Sequence, residues 1–234
     1  MENFLILKLQ GPVQAWGTHS YEDYRPSNAF PTRSGIVGLL GACLGIERAE
    51  RNAIAELSSG MRMAVRADSC PDLNPTVLTD FHTVINARKV DGKMNPNPVV
   101  SRREYLCDAS FTVAVGFFAK SAWQLEQVKD AVMRPIYTPF LGRRSCALAR
   151  PIYEGEVEAE SLMDAIARIS PHKGVIYSEE AQGAHSRLLL RDVPSAGPQR
   201  QFATRHVHIH VENGGDGNVS QCFGLGIAET SQSL

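Results

Sequence analysis

Apolar positions along the chain follow two rhythms. Residues 4–9, FLILKL, form a nearly continuous apolar run, which predicts a strand covered on both faces. An irregular stretch, QGPVQAWGTHSYEDYRPSNAFP, then leads into RSGIVGLLGACLG, read as a helix. That helix should begin near residues 32–34, because the hydroxyls of Thr32 and Ser34 both suit an N-cap. Residues 46–57 read as a second, solvated helix with a break at Ser59-Gly60. In residues 61–66, Met61, Met63 and Val65 alternate with Arg62, Ala64 and Arg66, predicting a half-buried strand. Residues 76–85 and 104–118 are also extended in character. Ser121 with Gln124 three residues on predicts a helix start, and Arg134-Pro135 its end.

The order strand, glycine-rich helix, strand, strand, helix, strand predicts an α+β, ferredoxin-like arrangement of the split βαβ kind over residues 1–153. The chain then turns acidic (EGEVEAESLMDA), with Ser161 placed to cap a short helix. Strands near residues 175–177, 187–190 and 202–211 complete an expected smaller C-terminal subdomain over 154–213. The Gly/Ser/Asn-biased residues 214–234 are expected to be a flexible tail. Gly35, Gly38, Gly41 and Gly45, spaced by three, three and four, predict a helix face that another backbone can approach closely. This is not GxGxxG, so a dinucleotide site is not expected.

With 234 residues, 43% hydrophobic and 21% charged, the chain has the composition of an ordinary globular protein. Its net charge of −1 excludes a surface that coats nucleic acid everywhere, but leaves room for a local basic groove. No apolar window reaches membrane-spanning length, and the expectation is a cytoplasmic protein with no membrane partner. Its 5 cysteines are scattered and never CxxC, which predicts reduced thiols and no cofactor.

Local charge changes the picture. Arg33 and Ser34 stand at the predicted helix start, and no acid lies between Asp23 and Glu47, so this end reads as an anion site. Residues 86–103, NARKVDGKMNPNPVVSRR, lose all periodicity and carry Arg88, Lys89, Lys93, Arg102 and Arg103 against Asp91. An arm for a polyanionic partner is one reading, and a merely solvated loop is the other. Residues 131–153 contain no acid and carry Arg134, Arg143, Arg144 and Arg150 interleaved with Tyr137, Phe140 and Tyr153. Gly142 supplies a turn ahead of Arg143, Arg144 and Ser145. Aromatic rings stack on splayed bases and guanidiniums grip phosphate, although such rings also serve as core.

Catalytic signals are weaker. His206, His208 and His210 share one strand face, but no neighbouring Cys or carboxylate completes a ligand set, and no metal is expected. His82 is the one candidate general base for RNA cleavage, with Tyr105 or Lys89 to assist. GxSxG, HExxH and Walker A motifs are absent.

GPVQAWG, RPSNAFPTRSGIVGLLGACLGI, FHTV, REYLCDASFTVA, YTPFLGRRSC, IYSEE and RQFATR, in this order over residues 5–205, closely resemble the D-subunit family of Cascade. Cascade is the type I-E CRISPR surveillance complex, and this family belongs to the Cas-five group of RAMP proteins. The resemblance implies a modified ferredoxin-like (RRM-like) domain with a small C-terminal β subdomain and an extended thumb at residues 86–103. It implies a non-catalytic subunit in antiviral defence that binds and caps the 5′ handle of CRISPR RNA and contacts the backbone and large subunits, meeting target DNA indirectly through the complex. In another subtype the corresponding protein is itself the processing nuclease, which keeps His82 as the alternative. The RNA-binding residues expected on this basis are Arg33, Ser34, Arg102, Arg103, Tyr137, Arg143, Arg144 and Ser145. Arg88, Lys89 and Lys93 lie on the thumb.

Overall fold

The computed structural model of the protein describes residues 1–68, 76–89, 91–197 and 201–212. In chain order the elements are β1 (Glu2–Gln10), β2 (Val13–Gln14), β3 (Trp16–Gly17), β4 (Tyr24–Arg25), β5 (Ser27–Asn28), α1 (Arg33–Leu44), α2 (Arg51–Gly60), β6 (Met61–Ala67) and β7 (Thr76–Val84). They continue with β8 (Val99–Cys107), β9 (Ser110–Phe117), α3 (Leu125–Met133), β10 (Tyr153–Ala159), α4 (Leu162–Ala167), β11 (Gly174–Ser178), β12 (Ser186–Pro194) and β13 (Phe202–Glu212). The expected tail at 214–234, Cys70 and Cys222 lie outside the described residues.

Seven strands form one sheet in the order β10-β1-β9-β6-β11-β13-β12, every neighbour antiparallel. The apolar run of β1 serves both faces, as its sequence predicts. Phe4 and Ile6 join Ala64, Ala114, Leu162, Ile166 and Ile176 beneath α4. Leu5, Leu7 and Leu9 join Ile36, Leu40, Val128 and Val132 beneath α1 and α3. Helices on both sides make β1 the middle of three layers.

That second layer corrects the reading of β6 as half-buried. Its other face meets α4, so Ala64 and Arg66 are fully buried. Arg66 donates through Nη1 to the Ile166 carbonyl at 2.9 Å and through Nε to Asp68 at 2.8 Å, while Lys8 reaches the same carboxylate at 2.7 Å. Buried charge persists here because it is paired.

The residues expected to form a smaller C-terminal subdomain add strands to the main sheet. β10 pairs with β1 on one side, and β11 pairs with β6 on the other and carries β13 and β12 outward. Strand pairing over more than a hundred residues of separation, as between Ala67 and Val175, leaves no periodic trace in sequence.

α1 begins as predicted, with the Thr32 side chain accepting from Gly35 N at 3.2 Å, and it ends on Gly45 at φ 77. The glycine face does not hold. Gly35 leaves room for the Trp16 indole, which an added Cβ would approach to 2.8 Å, whereas Gly38 is exposed with nothing within 4 Å. α2 starts at Arg51 rather than at residue 46 and runs through Gly60, and α3 takes its capping box from Gln124 and Gln127 rather than Ser121. The extended run 104–118 is two strands, broken at Asp108, which adopts φ 51.

Beside the main sheet, β2, β8 and β4 pair in that order, and β7 pairs with β8 in register from Thr76↔Cys107 to Val84↔Val99. Every residue of β7 except His82 is exposed, so the β7–β8 hairpin is solvated on both faces along that strand. The arm anticipated at 86–103 is therefore longer and more ordered than its sequence suggests. Residues 99–103 belong to β8, and the tip closes through an Arg88↔Met94 bridge and Lys89 N donating to Lys93 O at 2.8 Å.

Candidate nucleic-acid interface

The segment carrying Arg143, Arg144 and Ser145 is stitched to the chain's first residues. Ala15 N donates to Leu141 O at 3.1 Å and Ala149 N to Gln10 O at 2.9 Å, while Leu141 N closes the turn itself on Cys146 O at 2.9 Å. Gly142 has φ 88, and an added Cβ there would stand 1.8 Å from Ala15 O, so this contact requires glycine. Beneath it, Gln14 is fully buried, donating to Ala109 O at 2.6 Å and accepting from Trp16 Nε1 at 3.1 Å. The GPVQAWG stretch is the seat on which the turn rests.

The two arginines of the turn part company. Arg143 points inward, donating to Glu104 O at 2.9 Å and Arg25 O at 2.8 Å, with its guanidinium 4.7 Å from the Tyr105 ring centroid. It fastens the turn to the base of the arm. Arg144 is exposed and has no side-chain partner among the described residues. Ser145 is exposed beside it.

On the arm, β8 carries Arg102 and Arg103 next to β4, with Tyr24↔Arg102 and Arg25↔Arg103 in parallel register. Arg102 forms a two-pronged pair with Asp23 at 3.2 and 3.3 Å, and Arg103 Nε donates to Ser101 Oγ at 3.0 Å. Arg88, Lys89 and Lys93 are exposed at the tip, without side-chain partners among the described residues. Val84, Ile85, Met94, Val99 and Val100 are exposed around them, so the arm ends in a surface both basic and apolar. Asp23, Tyr24 and Arg25, which complete the base, escaped the sequence-based set of site residues. Their signal was the alternation of tyrosines and charges in SYEDYR.

Arg33 and Tyr137 do not join this group. The anion site predicted at the start of α1 is already filled by the protein's own carboxylates. Arg33 N donates to Asp192 Oδ2 at 2.6 Å, its side chain pairs with Glu179 and with the carbonyls of Ser58 and Met61, and Arg205 grips Asp192 at 2.8 and 2.9 Å. Burial pulls the Arg33 guanidinium below its ordinary value, with Glu179 opposing. Ser34 is half-buried, its Oγ 3.3 Å from Thr32 Oγ1. Tyr137 is exposed at the opposite end of α1, where its N donates to Ala42 O. A helix of 12 residues separates the two ends by roughly 18 Å.

His82 Nε2 lies 3.0 Å from both Tyr105 Oη and Asp80 Oδ2, so the nitrogen that would act as base is shared by two neighbours. Tyr105, its expected assistant, is indeed adjacent, but only 4% exposed. On β13, His210 is buried with Nε2 2.9 Å from Glu180 O, while His206 is exposed. Among the described residues no group of three His, Cys, Asp or Glu is placed to hold a metal ion, and no helix is long and apolar enough to cross a membrane. Burial pushes the Cys43 thiol up to about 11 and raises that of Cys146, which makes both of them inert fillers of the core.

A helix-backed antiparallel sheet bearing a basic hairpin and a glycine-clamped arginine turn defines the class: an α+β protein with an appended cationic arm. The chain belongs to the CRISPR-associated protein family Cas5, whose model matches residues 4–208. It is 42% identical over 215 residues to the CRISPR system Cascade subunit CasD of Escherichia coli (strain K12), covering 89% of this chain and 96% of that one. Among solved structures, one titled a crystal structure of a Cas protein superposes with a TM-score of 0.64 at 32% identity, covering 89% of this chain and 94% of the other. A chain of a CRISPR RNA-guided surveillance complex superposes with a TM-score of 0.66 at 24% identity over 89% and 90% of the two chains. That likeness concerns the fold alone.

Proposed function

We propose that this protein is a non-catalytic, cytoplasmic subunit of a Cascade-type surveillance complex that holds the 5′ handle of CRISPR RNA. The supporting observation is the pair of unpaired cationic features: Arg144 on its rigid turn, and Arg88, Lys89 and Lys93 at the tip of the arm. Exposed cations without carboxylate partners are free to neutralise phosphate. The arm acts as a thumb, its apolar flank meeting the neighbouring backbone subunit while its cations follow the RNA. The large subunit is the second protein neighbour, and target DNA is met through guide pairing. The strand order β10-β1-β9-β6, with α1 and α3 as crossovers on one face, supports a modified ferredoxin-like reading of the fold. Arg102, Arg103 and Arg143 shape the base of the thumb, whereas Arg33 belongs to the scaffold.

The test is the salt dependence of handle-RNA binding by the assembled complex. Replacing Arg88, Lys89, Lys93 and Arg144 together by alanine is expected to flatten the plot of log affinity against log salt by about 0.7 per lost phosphate contact. An unchanged slope and affinity would overturn the assignment. The alternative, a metal-independent endoribonuclease, has the His82–Tyr105 juxtaposition in its favour, but the engagement of Nε2 by Asp80 and Tyr105 leaves the base without an open approach.

A further inference from the structure

Between the turn at residues 20–24 and the base of the arm lies an open depression of about 810 Å³, lined by Tyr21, Glu22, Asp23, Tyr24, Thr79 and Arg102. That volume falls within the range of small-ligand sites. Tyr21 and Tyr24 exchange backbone hydrogen bonds of 3.0 and 2.6 Å, which closes a tight turn with Glu22 at φ 45. A side-chain-bearing residue in that conformation persists only where its surroundings fix it. Here Arg102 N donates to Asp23 O at 2.9 Å, and the Arg102 guanidinium clasps the Asp23 carboxylate.

The consequence is a prearranged set of flat surfaces. The Arg102 guanidinium is held 5.5 Å from the Tyr24 ring centroid, and the Tyr24 hydroxyl is engaged by Glu104. Tyr21 is 62% exposed, with the edge of His19 against it, and Phe81, opposite Arg102 in register, is 67% exposed. Exposed rings beside a fixed guanidinium plane are what an unstacked base packs against. The Glu22 carboxylate is exposed and has no side-chain partner among the described residues. It repels phosphate and accepts from an amino group, so it selects the base edge rather than the backbone.

We propose that this depression is a subsite for one unpaired nucleobase carrying an exocyclic amino group, stacked against Tyr21 and Arg102 and read by Glu22. The inference rests on the RNA-binding reading and adds to it a position of base recognition. The experiment replaces each handle nucleotide in turn by an abasic site and measures binding to the assembled complex. One position is expected to lose about tenfold in affinity on base removal. That penalty should vanish in Tyr21→Ala and return in Tyr21→Phe. Glu22→Gln should weaken discrimination against uridine at that position alone. Handle RNA that binds with salt-dependent affinity but shows the same abasic profile in Tyr21→Ala and the unaltered protein would overturn the subsite and leave the RNA-binding reading intact. Failure of any handle RNA to bind would remove both. Loss of a protein subunit from the Tyr21→Ala complex, with the abasic profile unchanged, would assign the depression to a protein contact instead.

Discussion

Asp192→Ala is expected to destabilise the fold by about 3–5 kcal/mol. Asp192 is 2% exposed and accepts the Arg33 backbone N–H together with both prongs of Arg205. A bulge in the β12–β13 pairing between Arg191 and Val193 lies at this residue, which reaches the start of α1. Without it the buried Arg33 and the partly buried Arg205 share Glu179 as their carboxylate, and an uncompensated buried charge costs far more than an exposed pair contributes. Thermal unfolding should show a midpoint about 10 °C lower. Asp23→Ala, which removes a carboxylate from an exposed pair, should move the midpoint far less. Equal, small effects from the two substitutions would show that the α1 network is not what ties the C-terminal strands to the helix.

Gly142→Ala should weaken RNA binding at least as much as Arg144→Ala, although it removes no charge. Its φ of 88 is strained for alanine, and the new Cβ would fall 1.8 Å from Ala15 O, a backbone atom that cannot swing aside. The turn must lift away from residues 11–15, taking Arg144 with it and loosening the Arg143 tether to Glu104 and Arg25. Strain of this kind costs about 1–3 kcal/mol before any clash is counted. Gly38→Ala provides the contrast: exposed in α1 with open space around it, it should stabilise by about 0.5–1 kcal/mol and leave RNA binding unchanged. Matching losses of RNA affinity in both glycine variants would argue against a rigid turn.

Much of the main sheet's first half is legible in sequence because its signals are local. The FLILKL run announces a doubly covered strand, Thr32 caps the helix it precedes, and Ser161 does the same for α4, accepting from Asp164 N at 3.0 Å. What fails is whatever depends on partners distant along the chain. The start of α1 looks free of acid between Asp23 and Glu47, yet Asp192 arrives from 159 residues away to fill it. Residues 99–103 look aperiodic because both faces of that hairpin meet solvent over much of its length, and pairing with β7 and β4 makes them a strand. β11 to β13 read as part of a smaller subdomain, and nothing local says that β11 hydrogen-bonds to β6.

The same reasoning divides the candidate site. Its basic windows stand out in the sequence as runs with one acid (86–103) or none (131–153), which is what singles out Arg144 and the arm cations as candidates. Whether an arginine points outward is a matter of tertiary packing, and adjacent residues differ: Arg143 turns in to Tyr105 while Arg144 remains exposed. The depression at residues 20–24 needed Arg102, nearly eighty residues on, to become visible at all.

The central claim, an RNA holder that does not cut, is tested most directly by incubating the purified chain with its own repeat RNA in the absence of metal and resolving bound from cleaved RNA on gels. The expected result is intact RNA retained with an affinity that falls as salt rises. Specific cleavage that disappears in His82→Ala would contradict it.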